Sequence, residues 1–372
     1  MIEKGKISAA QLGLLFYSVT AYDGILYIPK ITGKEAGHDL WLSPIWAHLL
    51  GLLFVLGMLR LSSRFPKETI IQYSVRLLGP WAGKAVGLVV ILYGINLTSV
   101  ILREFGDFIS AVFLRETPPL IAIGGIVLLV AYAVRGGLEV LGRLAELFLP
   151  ITFLVFGLLI ILSILEWDVN NILPVMGEGI APSIKGALVP FSWFSGYLML
   201  GLYFPFVSNQ RKTTVYIVLT WFALMVTLSV SGLVSVFLFG KHVSTLNYPF
   251  IEVVRYIGID KFIQHVDALL LIVWLPGTFI QLTTYLYTAA LGASQWFGLK
   301  NYRQLVFPVG LLALVLSMWR TSGVEEFQIY LGTSHVIFDF FNIALGLLLL
   351  LTAWIRSRKD RRQAVAESNA AK

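Results

Sequence analysis

Cysteine is absent from the 372 residues, so the chain has no disulfide framework and no thiolate chemistry. Histidine is scarce: the five present are scattered, no H-E-x-x-H pair occurs, and no zinc ligand set is indicated. Charge is scarce too, at 13% of residues against about a quarter in an average soluble protein. With 28 basic and 21 acidic side chains, a chain this long cannot cover a water-exposed surface, which excludes an ordinary soluble domain. A Gly-rich phosphate loop and a nucleophile with a positioned base are also missing, so the reading is not an enzyme and needs no cofactor. The opening MIEKGK and the apolar run after it imitate a secretory signal. That run, however, contains Asp23 and Gly24 and lacks a small-residue cleavage site, so it reads as a retained first span.

What the chain has in abundance is apolar sequence, 57% of residues. Taking about 20 apolar residues as one bilayer crossing, ten segments stand out, near 8–36, 41–60, 84–114, 118–135, 142–165, 183–208, 213–239, 260–293, 303–320 and 329–356. Short connections make residues 1–372 a single transmembrane domain, with a basic tail at 357–372. The net charge of +7 lies between the apolar runs and points to the lipid bilayer, with no nucleic acid as partner. With ten spans, about two thirds of the 28 Lys and Arg residues fall on the side holding both termini, which the positive-inside rule makes cytoplasmic. Segments one to five and six to ten start at nearly constant offsets, about 172 to 187 residues, which implies two repeats near 8–165 and 183–356. Five spans is an odd number, so the second repeat is inverted, as in transporters.

In such architectures the first helix of each repeat breaks at mid-membrane, where freed backbone groups and half-helix dipoles hold a small solute. Segment one contains SVTAYDGILYIP, from Ser18 to Pro29, with Asp23 and Gly24 in the middle of a crossing. A carboxyl there is costly unless it lines a cavity. A break at Gly24 would turn the N–H groups of Gly24, Ile25 and Leu26 toward an acceptor such as a carboxylate, with Asp23 beside them for an ammonium or a proton. Segment six carries the matching Ser192, Ser195 and Gly196 within VPFSWFSGYLMLGLYFP. Segment three places Tyr93, Asn96 and Leu97 on one face, and segment eight offers Pro276 and Gly277 followed by Thr283, Thr284 and Tyr287. Each feature has a plainer explanation: small residues permit close helix packing, and Tyr, Thr and Asn make interhelical hydrogen bonds worth about 1 kcal/mol each. Among the other charges, Glu146 and Asp267 read as structural partners and Asp339 as either partner or pathway group. Arg103, Glu104 and Asp107 read as a solvated helix end, and His48 and His335 as hydrogen-bonded bundle residues.

The loops are more distinctive. FPKETIIQYSVRLLGPW (Phe65 to Trp81), RGGLEVLGRLAELFLP (Arg135 to Pro150), NILPVMGEGIAPSIKGA (Asn171 to Ala187) and NYRQLVFP (Asn301 to Pro308) resemble the spore germination permease family. These are the B subunits of GerA-type spore germinant receptors, within the amino acid-polyamine-organocation superfamily. The resemblance spans nearly the whole chain. It implies an all-α integral membrane protein with ten transmembrane helices, a LeuT-like 5+5 inverted repeat and discontinuous helices 1 and 6. The implied role is nutrient sensing in the inner membrane of a bacterial endospore, in assembly with germinant receptor A and C subunits. The small-molecule germinant would be an amino acid, a nucleoside or a sugar, and the pocket chemistry favours an amino acid. Carried over, the broken part of segment one falls on Tyr22, Asp23, Gly24 and Ile25. The ligand walls fall on Tyr93, Leu97, Ser195, Gly196, Thr283 and Tyr287. The chain departs before segment eight, where relatives have an Arg followed by an acidic residue and this sequence has Gln264, His265, Val266 and Asp267. Segment five has no interior Lys to stand in for a sodium ion, as one does in some proton-coupled members of the superfamily. The fold alone does not separate a receptor from an ion-coupled amino acid permease, for which Thr283, Thr284 and Asp23 are the ion-site candidates, or from a water or ion path. Gly24→Ala and Thr283→Ala are expected to impair the germinant response while leaving membrane insertion intact.

Overall fold

The computed structural model describes residues 3–114, 116–257, 267–320 and 324–370. Gln264, His265 and Val266 lie outside the described residues, as do the side chains of Asp267 and of the tail from Lys359 onward. The expectations attached to them are not carried further.

A lipid-embedded backbone must satisfy its own N–H and C=O groups, and the apolar runs do so as helices. They are α1 (Ala9–Ala36), α2 (Ser43–Arg64), α3 (Ile70–Leu78), α4 (Pro80–Val112), α5 (Pro119–Gly136) and α6 (Leu138–Ser163). Then come α7 (Ala181–Gly186), α8 (Leu188–Ser192), α9 (Leu200–Tyr203), α10 (Thr213–Phe239), α11 (Pro249–Tyr256), α12 (Asp267–Trp296), α13 (Arg303–Trp319), α14 (Val324–Gly332) and α15 (Ser334–Ala370). Eight helical stretches among the described residues are long and apolar enough to cross a membrane. One of them, Ala9–Arg64, contains both α1 and α2, and α13 is a shorter apolar helix. Leucines such as Leu53 on α2, Leu129 on α5 and Leu154 on α6 face outward, as a lipid-facing rim requires.

α1 starts with a capping box, in which the Ser8 hydroxyl accepts from Gln11 N and the Gln11 side chain accepts from Ser8 N. It ends at Gly37, whose φ of 55° places it in the left-handed region. Its 28 residues span about 42 Å, longer than the roughly 30 Å hydrocarbon core. α1 is the central element, packed against α10, α12, α6 and α7. The short amphipathic α3 lies against α4, where Gly83 permits the approach: a Cβ there would run into the Val75 backbone.

The two expected breaks come out differently. Segment six is fragmented into α7 and α8, a 3-10 stretch Trp193–Met199 that contains Ser195 and Gly196, α9, and a second 3-10 turn Phe204–Phe206. Segment one is not broken: α1 passes through Tyr22, Asp23, Gly24 and Ile25 without interruption. The reason is that Asp23 finds a partner on another helix, Gln281 of α12, so its burial does not require the local backbone to open.

Candidate ligand site

Four helices bring i, i+4 pairs to one point: Val19 and Asp23 on α1, Leu97 and Ile101 on α4, Gln281 and Tyr285 on α12, and His335 and Asp339 on α15. Tyr93, Val100 and Glu104 extend the α4 wall, Trp193 comes from the 3-10 stretch and Leu331 from α14. Together they enclose a cavity of about 30 Å³, room for a water molecule or two.

The walls are joined by hydrogen bonds. Ser195 Oγ donates to Asp339 Oδ1 at 2.8 Å, which makes the Tyr93 hydroxyl, 2.8 Å from Ser195 Oγ, the donor in its own bond. His335 Nε2 stands 3.5 Å from Asp339 Oδ2. Gln281 Nε2 donates to Asp23 Oδ2 and, at 3.1 Å, to the Val19 carbonyl, which also accepts from Tyr285 Oη at 3.2 Å. Val19 thus draws two side-chain donors from α12 onto the backbone of an uninterrupted α1. Asp23 on α1 and Glu104 on α4 bring two carboxyls to the same cavity. Five buried polar atoms of the lining have no hydrogen-bond partner among the described residues: Asp23 Oδ1, Glu104 Oε2, Gln281 Oε1, Trp193 Nε1 and His335 Nδ1. Among the described residues, neither Lys nor Arg lines the cavity.

Aromatic side chains pack along α1 on either side of the cavity. Toward the C-terminal end of α1, Tyr27 stacks edge-on with Tyr248 (5.6 Å between ring centroids), and Phe108 packs on Trp274 at 4.1 Å. Beyond them the buried Lys30 Nζ donates to the side-chain oxygens of Asn247 and Gln328. Toward the N-terminal end, Phe16 packs on Tyr197 (5.4 Å) and Tyr203 (5.8 Å), and Tyr203 on Tyr287 (5.5 Å). The segment before α1 crosses this end: Ile7 N donates to Phe206 O, Ser208 N to Ile7 O, and Glu3 accepts from Tyr287 Oη.

Of the ten residues expected to bind the ligand, Asp23, Tyr93 and Leu97 line the cavity, as does Asp339, which the sequence offered as a partner or pathway group. Ser195 ties Tyr93 to Asp339, and a Cβ on Gly196 would lie 3.6 Å from Tyr285 Oη and 3.7 Å from Tyr93 Oη. The other five stand apart. Tyr22 bonds Thr152 Oγ1 at 3.0 Å, Gly24 faces Leu228, and Ile25 is in the apolar core. Thr283 donates to the Ile280 carbonyl of its own helix, and Tyr287 belongs to the layer beside Glu3. Glu146 accepts from Gln11, as a structural partner would.

Glu104, Trp193, Gln281 and Tyr285 were missed. Glu104 is only 1% exposed and is not at a solvated helix end; Arg103 and Asp107 pair beside it at 2.8 Å. The Tyr93–Leu97 face, continued two turns along α4, reaches it. On α12 the polar run was read two residues out of phase. Two residues are about 200° of helix, so choosing Thr283 and Tyr287 pointed away from the face of Gln281 and Tyr285.

A buried polar cavity walled by α1, a fragmented crossing and two long helices defines a LeuT-fold membrane protein. The fold matches MhsT in complex with L-phenylalanine at a TM-score of 0.68 and 16% identity, covering 93% of this chain and 96% of that one. It also matches MHP1, a nucleobase-cation-symport-1 family transporter, in a closed conformation with bromovinylhydantoin bound, at 0.65 and 12% identity, covering 88% and 75%. At such identities the likeness is one of fold. The family follows from the sequence: a model described as "Spore germination protein" matches residues 6–323, and the chain belongs to that family. It is 26% identical to spore germination protein YndE of Bacillus subtilis (strain 168) over 363 residues, 96% of this chain and 98% of that protein. To spore germination protein KB of the same organism it is also 26% identical, over 97% of this chain and 98% of that protein. It is a multi-pass membrane protein of spore germination.

Proposed function

We propose that this chain is the nutrient-sensing subunit of a spore germinant receptor. In this reading it sits in the inner membrane of the endospore with ten crossings in two inverted repeats and both termini in the cytoplasm. It binds a small germinant, an amino acid by preference, and passes a conformational change to A and C subunits. The observation that carries this is the buried polar cavity, with five buried, unpaired polar atoms, at the crossing of α1, α4, the fragmented segment, α12 and α15. Unsatisfied groups at such depth cost free energy that a bound polar molecule recovers. At about 30 Å³ the cavity is smaller than any amino acid, so binding must move its walls. A ligand that prefers the widened state shifts the equilibrium, which is what a receptor needs. We place the germinant against Asp23, Tyr93 and Leu97, with Ser195 and Gly196 behind them and Tyr22, Gly24, Ile25, Thr283 and Tyr287 supporting the walls.

The test is thermal stabilisation of the purified chain by L-alanine, inosine and glucose, with uptake measured in proteoliposomes. A ligand at 100 times its Kd is expected to stabilise by about 2.7 kcal/mol. Leu97→Phe, which fills the cavity, is expected to remove the shift. Stabilisation without accumulation supports the receptor. Ion-driven accumulation would make the chain a permease, and no stabilisation by any of the three would sink the pocket.

A further inference from the structure

Helices α2 and α15 meet closely where small residues allow it. A Cβ on Gly57 would fall 2.7 Å from Leu350 Cδ1, and one on Gly346 would fall 2.8 Å from the Phe54 ring. Beside that contact the two helices leave a groove of about 330 Å³, with Arg60, Leu61 and Arg64 of α2 on one side and Leu350, Leu351 and Trp354 of α15 on the other. Its floor is apolar, since Leu61 is fully buried, and its rim is basic. Arg60 and Arg64 are one turn apart on one face of α2, and both are exposed. Neither guanidinium has a hydrogen-bond or ion-pair partner among the described residues.

The groove lies where each helix changes the surface it shows. On α2 the exposed residues run from Leu49, Leu53 and Leu56 to Arg60 and Arg64. On α15 they run from Leu347 and Leu351 through Trp354 to Arg356 and Arg358. An exposed apolar run that gives way to arginines, with a Trp at the change, marks the boundary between hydrocarbon and headgroups. Little acid is present to cancel the charge. Glu68 is the one acidic residue between Asp39 and Glu104, and Arg76 pairs with it at 2.8 Å. Between Asp339 and Asp360 the sequence has none. Two more guanidiniums stand at this end of α15: Arg356 Nη1 donates to the Arg76 carbonyl at 2.9 Å, and Arg358 stacks on the Trp354 ring at 3.7 Å.

We propose that this groove binds one anionic phospholipid, its phosphodiester held by Arg60 and Arg64 and an acyl chain laid over Leu61, Leu350 and Leu351. Guanidinium groups present paired N–H donors that match phosphate oxygens, and the apolar floor at the same depth matches the chain attached to them. A zwitterionic lipid would bring its ammonium among four arginines with no free carboxylate to receive it, so the net charge of the headgroup decides the occupant. A free phosphate would reach the arginines but leave the floor uncovered. The lipid ties α2 to α15, the helix that brings His335 and Asp339 to the candidate ligand site, and the inference stands independently of what that site binds.

The experiment is native mass spectrometry with thermal stabilisation of the delipidated full chain, titrated with dioleoyl phosphatidylglycerol, dioleoyl phosphatidylethanolamine and inorganic phosphate. Phosphatidylglycerol is expected to be retained and to stabilise the chain, less so as salt rises; the other two should do neither. An arginine at a lipid surface is worth about fivefold in affinity, so the double variant Arg60→Gln, Arg64→Gln should bind phosphatidylglycerol about 25-fold more weakly. Lysine at both positions keeps the charge and should restore most of the binding. Arg143→Gln with Lys300→Gln removes two charges outside the groove and should change little. Because Arg60 and Arg64 are exposed and unpaired, their replacement leaves the packing intact, and the lipid panel on the unaltered chain tests the site without any variant. Equal retention of the two lipids, or an equal loss in the Arg143 and Lys300 variant, would overturn the site. Stabilisation by inorganic phosphate as strong as that by phosphatidylglycerol would overturn the lipid as its occupant.

Discussion

Gly277 shows how much one absent methyl group decides. A Cβ there would fall on the ring of Tyr22, which is held by its bond to Thr152 Oγ1, itself bonded to the Leu149 carbonyl. The ring body cannot swing away as a chain end can, so Gly277→Ala must push α12 off α1 or break the Tyr22 bond. Overpacking of this kind costs about 1–3 kcal/mol. Gly24→Ala meets only Leu228 Cδ2, the free end of a flexible side chain, and is expected to cost less. The denaturation midpoint of purified Gly277→Ala should therefore fall below that of Gly24→Ala; equal midpoints would remove the packing argument. The sequence marked Gly24 as a breaker and Gly277 only as the neighbour of Pro276. Whether a glycine relieves the backbone or admits a neighbour's ring depends on the rotation of two helices about each other, which is not written in either segment alone. The same limit hid Gln281, since the polar run from Gln281 to Tyr287 fills more than one face of α12.

At the level of elements, hydropathy marked each long helix because a crossing must be apolar over its length. It could not tell that segment six loosens into 3-10 turns while segment one stays whole, because both contain Gly and a polar residue at mid-span. The difference lies in tertiary partners: Asp23 is served by Gln281 from α12. The start of α1 is set locally, by Ser8 and Gln11, and it anchors the segment that crosses the end of the bundle. Gln11 also reaches Glu146 on α6 at 2.8 Å. Ser8→Ala removes the cap, a loss of about 1 kcal/mol. Its expected signature is faster amide hydrogen exchange at Gln11 and Leu12 and also at Ser208, whose N–H bonds the Ile7 carbonyl 2.9 Å away. Faster exchange confined to α1 would mean that the crossing segment is held without the cap.

For the whole molecule, the sequence carries orientation in where its charges fall, because translocating Lys and Arg is costly and short loops keep them on the cytoplasmic side. Cavity and fold do not carry that information, since an inverted repeat looks much the same from either face. The absence of cysteine makes the orientation directly measurable: any introduced thiol is the only one in the chain. Glu178, in the loop between α6 and α7, and Lys300, between α12 and α13, are both exposed. Between them lie the fragmented segment, α10 and α12, three crossings if each spans the bilayer. An odd number puts the two positions on opposite sides. With the basic side inward, Glu178→Cys should react with a membrane-impermeant maleimide in intact cells, and Lys300→Cys only after the membrane is opened. The reverse pattern would invert the molecule and keep the count. Labelling of both from outside would require an even number of crossings between them, and with it the two inverted halves of five would fail.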